Sequence, residues 1–162
     1  MDVLIATAGV LPPGPVADLV EVLVGSRGSA TVMNVTQVPA EFLDELEDGP
    51  WQPFDGPAGR SESDRAAREA DRYIQERGSK IVAPVVAALK LREVETATLF
   101  VEADDVAQAI IDTAERVGAD VIVMGATRRL FDEMSWTSVS MTVTAKCSLP
   151  VLLIPEPAQP DN

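Results

Sequence analysis

The apolar run Val121-Ile122-Val123-Met124 stops at Gly125, and a second run, Val151-Leu152-Leu153-Ile154, closes the patterned part of the chain. Between them lie a loop and a helical stretch marked by Val139, Val143 and Cys147. Two buried-strand signals separated by a loop and a helix cannot close as a hairpin. They read as neighbouring parallel strands joined by a crossover, with a ligand-type loop at the carboxyl end of the first. The same alternation runs through the rest of the chain. Val3–Thr7, Thr31–Val35 and Glu95–Val101 are further runs of strand length. Residues at helical spacing join them: Val16, Leu19, Val20 and Leu23, then Ala66, Ala70, Tyr73 and Ile74, then Val106, Ile110, Ala114 and Val117. Five strands alternating with helices argue for a doubly wound α/β domain with a parallel sheet and right-handed crossovers. The expected domain spans 1–155, followed by a frayed Pro-rich tail over 156–162.

Punctuation residues set the expected element ends. Pro12-Pro13-Gly14-Pro15 blocks regular structure ahead of the first helix. Ser61 is the expected cap of the second. Gly78-Ser79 and Pro84 predict a kink or break in that helix, with Ile81, Val82, Val85, Val86 and Leu89 resuming the stripe beyond it. Asp104 or Asp105 caps the third helix, Gly118 ends it, and the fourth begins near Trp136 to Ser138. Val38 to Gly59 breaks the pattern. It carries four prolines and six acids with no base, interleaved with Phe42, Leu43, Leu46, Trp51 and Phe54. It reads as an insertion-like loop with one short helical turn at 40–46. Its aromatic residues either cover a core edge or present a partner surface.

Composition narrows the chemistry. Acids outnumber bases 26 to 13 in 162 residues, a formal charge of −13, which disfavours nucleic acid and anionic membrane as partners. No apolar stretch reaches the roughly 18 residues of a membrane span. The start, Met1-Asp2-Val3-Leu4-Ile5, lacks the basic region of a signal peptide, so a cytoplasmic location is expected. With no histidine, the usual general base, the Ser-His and Cys-His pairs and the commonest transition-metal ligand are all missing. Lone Cys147 makes no internal disulfide and reads as a buried packing residue. No catalytic residue and no metal ligand stand out, and the chain is not expected to be an enzyme.

Taken together, Ala107-Gln108-Ala109-Ile110, Ala119 to Gly125, Ser138-Val139-Ser140, Val143 and Pro150 to Pro155 give the chain a pattern that resembles the universal stress protein family over essentially its whole length. The resemblance implies a three-layer, five-stranded parallel sheet in the order 3-2-1-4-5, with helices on both faces. It implies a homodimer in which Val151, Leu152, Leu153 and Ile154 of two copies pair across a twofold axis. An uncovered apolar edge strand of that kind needs a partner on physical grounds as well. For the members that bind ATP or AMP with Mg2+, the resemblance carries the nucleotide positions onto Gly9, Val35, Met124, Gly125, Arg128, Thr137, Ser138, Val139 and Ser140.

Several of these positions depart from the family pattern. The family's second glycine, separated from the first by two residues, falls on Arg128, and the one before Ser138 falls on Thr137. Asp132 and Glu133 place negative charge where a triphosphate needs cations, and Leu130, Phe131, Met134 and Trp136 replace small residues. Ala8 stands before Gly9 in place of the family's aspartate, and Glu102-Ala103-Asp104 replaces a glycine-x-proline turn. Bare backbone amides and a helix N-terminus are what hold a polyphosphate, and side-chain bulk keeps a ligand away from both. The expectation is a non-catalytic stress-response homodimer that works without ATP or any other cofactor. Two alternatives stand beside it: an ATP- or AMP-binding sensor whose phosphate loop is rebuilt around Arg128, Arg129, Thr137 and Ser138, and an adaptor that binds an unknown protein through its 38–59 loop.

Overall fold

The computed structural model describes residues 1–37, 59–126 and 138–155, with backbone alone for 59–66. The loop 38–58, the segment 127–137 and the tail 156–162 lie outside the described residues, and with them the turn expected at 40–46. The elements run β1 (Val3–Ala6), α1 (Pro13–Val24), β2 (Ala30–Thr36), α2 (Gly59–Lys90), β3 (Thr96–Glu102), α3 (Val106–Val117), β4 (Val121–Ala126), α4 (Val139–Lys146) and β5 (Val151–Pro155). All strand pairs are parallel, and the order across the sheet is β3-β2-β1-β4-β5, as the family resemblance implies.

Alternation along the central strands assigns the two faces. Val3, Ile5, Val32, Val121 and Val123 point to one side, where Val16, Ala17 and Val20 of α1 meet Val82, Val85 and Leu89 of α2. Leu4, Met33, Ile122 and Met124 point to the other, under Ile110, Ile111 and Ala114 of α3 and Val143 of α4. β1 is buried along its whole length and paired on both edges. At the amino ends of the strands, the Asp2 carboxylate accepts from both the amide and the hydroxyl of Ser29. The Asp2 amide donates to Asp120 Oδ2. The Ser29 hydroxyl and amide hold the Asp2 carboxyl below its ordinary range.

The helices depart from the sequence expectations in four places. Pro13 does not block α1 but occupies its first position, where a proline's missing N–H is one the helix could not have used. α2 neither breaks at Gly78 nor restarts at Ser79. It runs unbroken from Gly59, two residues before the expected cap Ser61, through Pro84. Its buried residues Ala70, Ile74, Gly78, Val82, Val85 and Leu89 form one continuous stripe, while Pro84 sits on the solvent side. Gly78 therefore belongs to the stripe. A Cβ built there would lie 2.3 Å from Phe100 Cδ1, so the glycine lets α2 settle against the Phe100 ring of β3. In α3 the inward face is turned from the expected one. Ala107, Ile110, Ile111 and Ala114 are buried, while Val117 is 38% exposed in the last turn. Asp105 is the cap of α3, accepting from the Gln108 amide, and Gly118 ends it in the left-handed region at φ +67°. Cys147 is half-buried rather than buried. Its amide bonds to the Val143 carbonyl, and its sulfur accepts from the Leu149 amide.

Replacing Gly78 by alanine improves helix propensity by about 1 kcal/mol but forces a methyl into the Phe100 ring, and overpacking of this kind costs about 1–3 kcal/mol. The clash outweighs the propensity. Gly78→Ala is expected to lower stability in urea denaturation, and Gly78→Ala combined with Phe100→Ala to show a coupling of opposite sign. A Gly78→Ala chain at least as stable as the parent would show that the ring contact does not govern this position.

Candidate functional site

Winding reverses at β1. The chain proceeds outward through β2 and β3 with α1 and α2 on one face, then crosses to β4 and β5 with α3 and α4 on the other. The carboxyl ends of β1 and β4 consequently send their chains to opposite sides and leave a crevice, the place where open α/β sheets bind ligands. A cavity of about 210 Å³ occupies it.

Five of the positions inferred from the sequence converge on this cavity: Val35 at the end of β2, Met124 and Gly125 at the end of β4, and Val139 and Ser140 at the start of α4. Gly9 stands beside the opening, at φ +97°, between the lining residues Ala8 and Val10. Ser138 is the cap of α4. Its Oγ accepts from the Met141 amide at 3.2 Å and lies 3.1 Å from Ser140 Oγ. Arg128 and Thr137 lie outside the described residues. β5 forms the far edge of the sheet, where Leu153 is 40% exposed and Val151, Leu152 and Ile154 are half-buried.

Three further residues shape the crevice: Thr7, Asn34 and Thr36. All are buried, and Asn34 is 3% exposed. Asn34 Nδ2 donates to the Thr7 carbonyl at 2.8 Å, and the Thr36 hydroxyl donates to Asn34 Oδ1 at 2.9 Å. Thr7 Oγ1 accepts from the Gly9 amide at 2.9 Å, which fixes the turn out of β1. The signal for this network is visible in retrospect as an asparagine inside the otherwise apolar run Thr31–Thr36. A buried amide needs partners, and here one is the Thr7 carbonyl just beyond β1 and the other is Thr36 in β2 itself.

The described lining contains no charged side chain, and no group of acids, cysteines or histidines among the described residues is placed to hold a metal ion. Its walls are aliphatic: Val10, Leu11, Met33, Val35, Val106, Ile110 and Met124. Small-molecule pockets commonly measure about 300–1,000 Å³, so the space suits a group the size of a nucleobase rather than a whole nucleoside triphosphate.

The family model of the universal stress protein family matches residues 29–155, and the chain belongs to that family. Solved structures show the same fold at low identity. A universal stress protein from Archaeoglobus fulgidus is 16% identical over 94% of this chain and 92% of its own, with a TM-score of 0.54. One from Burkholderia pseudomallei is 22% identical over 95% of both chains, with a TM-score of 0.51. A third universal stress protein, solved in complex with cAMP, is 16% identical over 97% of this chain and 98% of its own, with a TM-score of 0.55. No curated protein matches the chain. No helix among the described residues is long and apolar enough to cross a membrane.

The Asn34 network is expected to dominate the stability of the crevice. Asn34→Ala strands both the Thr7 carbonyl and the Thr36 hydroxyl, at about 1–3 kcal/mol for each unsatisfied buried group. Thr36→Val strands one group, Asn34 Oδ1, and leaves Asn34 Nδ2 bound to the Thr7 carbonyl. Thermal and urea denaturation should rank Asn34→Ala as clearly the less stable. Equal losses would mean the two bonds do not act through Asn34.

Proposed function

We propose that this universal stress protein is a non-catalytic stress-response protein that acts as a homodimer joined through β5 and works without ATP. The observation that carries this reading is the internal use of the crevice's polar groups. Asn34, Thr7 and Thr36 spend their hydrogen bonds holding β1 to β2 and closing the turn at Gly9. What remains facing the cavity is mainly aliphatic, and the strand-end position before Gly9 offers only the methyl of Ala8. Asp132 and Glu133 add negative charge in the following loop. An anion recruited there would meet no compensating charge from the described walls.

A second reading has its own support, the convergence of Val35, Met124, Gly125, Val139 and Ser140 on one cavity. In that reading an adenine base sits between Val35 and Met124. Gly125, Arg128, Thr137 and Ser138 follow the phosphates, with Mg2+ accompanying ATP. The cAMP complex of a protein of the same fold is compatible with it.

Calorimetric titration separates the two. Under the first reading, ATP with magnesium gives no saturable heat up to millimolar concentration, and Arg128→Ala changes nothing. Saturable micromolar binding of ATP or AMP, weakened about tenfold or more by Arg128→Ala as a lost charge-assisted contact requires, would establish the second reading instead.

The homodimer reading is supported by β5. An unpaired parallel edge strand carrying aliphatic side chains is stabilised by pairing with another copy. Sedimentation equilibrium is expected to give twice the 17.3 kDa chain mass. Leu153→Asp is expected to give a folded monomer, because two buried carboxylates would face one another across the axis. A monomeric parent chain would refute the pairing.

A further inference from the structure

The opposite edge of the sheet carries a second surface, independent of the crevice. β3 is seven residues long and contains neither lysine nor proline, the residues that commonly blunt an edge strand. The Glu95 carbonyl accepts from the Ala30 amide, and the Ala103 amide donates to the Thr36 carbonyl. Odd-numbered residues of β3 therefore bond to β2. The amides and carbonyls of Thr98 and Phe100 point away from the sheet, and no bond to them occurs among the described residues. Beside this edge runs a groove of about 390 Å³ between β3 and α3. Val101 and Ala109 line it together with three acidic residues, Glu102, Asp105 and Asp112, and one basic residue, Arg116. Asp105 and Asp112 each also accept a bond from Gln108.

We propose that the β3 edge binds an extended peptide segment bearing lysine or arginine at alternate positions, which adds to the sheet as a sixth strand. Main-chain bonds to Thr98 and Phe100 would supply its register. Every second side chain would lie on the α3 side of the sheet, beside a groove whose lining holds three acidic residues and one basic one. Charge also argues against a second copy of this chain as the occupant. Glu93 and Glu95 precede β3, Glu102 ends it and Asp104 follows it, all exposed. Antiparallel self-pairing would set these acids against one another, and like charges opposite one another destabilise a strand pair. A chain of net charge −13 repels its own copies there and attracts a cationic strand.

The test is amide hydrogen exchange read by NMR on the full chain, with an eight-residue peptide of alternating lysine and valine as the probe. The amides of Thr98 and Phe100 are expected to exchange at least about fivefold more slowly when the peptide is bound. An otherwise identical peptide with glutamate for lysine should leave them unchanged. The charge reversal Glu102→Lys with Asp112→Lys, both exposed positions, should abolish the protection. So should about 0.5 M salt on the parent chain, where the screening length falls to roughly 4 Å. The proposal is overturned if the lysine peptide leaves exchange at 98 and 100 unaltered, or if it slows exchange equally in half-molar salt. It is also overturned if the two amides are already protected in the free chain by self-association. Nucleotide titrations read the crevice alone and leave this result unaffected.

Discussion

β1 is the element on which the rest of the structure depends. Four apolar residues, paired on both edges and buried on both faces, require a neighbour strand on each side and a helical layer above and below. With short right-handed crossovers, a chain can meet that demand only by winding one way from β1 and then returning to wind the other way. The division of four helices into two pairs, one per face, follows from it. So does the crevice, since two strands whose chains leave toward opposite faces cannot be bridged by one connection.

The two poles of the sheet then acquire different characters. At the amino ends, connections arrive close together and are tied by short bonds among Asp2, Ser29 and Asp120. At the carboxyl ends the backbones diverge, and unsatisfied strand-end groups must find partners locally. Asn34 does this work. It carries one hydrogen bond across to β1 and receives another from Thr36, so the pole where a ligand would sit is also held by a buried polar network. Using those groups for cohesion leaves few of them for recognition. The aliphatic crevice and the tightly built strand ends thus have a common cause.

Edges differ as much as poles. β5 is short, aliphatic and closed by Pro155, and burial against a like surface suits it. β3 is longer, threonine-bearing and flanked by acids. Its neighbour across the interior face, α2, approaches closely because Gly78 leaves room for Phe100. The two edges of one sheet therefore combine the same backbone chemistry with different side chains, aliphatic along β5 and acidic at the ends of β3.

Alternation of apolar runs with helical stripes determined the α/β class and the five strands, features of local periodicity that a linear chain displays directly. The strand order was implied by the family resemblance and not by periodicity. The end of an apolar run marked the strand end at Gly125, while the other candidate positions around the crevice came from the family resemblance. Tertiary structure decided what periodicity cannot express. Gly78 looks like a helix stop when only neighbours in sequence are considered; Phe100, twenty-two residues further on, makes it a packing position within a continuous helix. Val117 has the spacing of a core residue, yet α3 is turned by the sheet so that Ala107 and Ile111 are buried in its place. Asn34 is an irregularity in a strand until the fold sets the Thr7 carbonyl 2.8 Å from its amide. In each case the deciding partner is distant along the chain, and only folding brings it into contact.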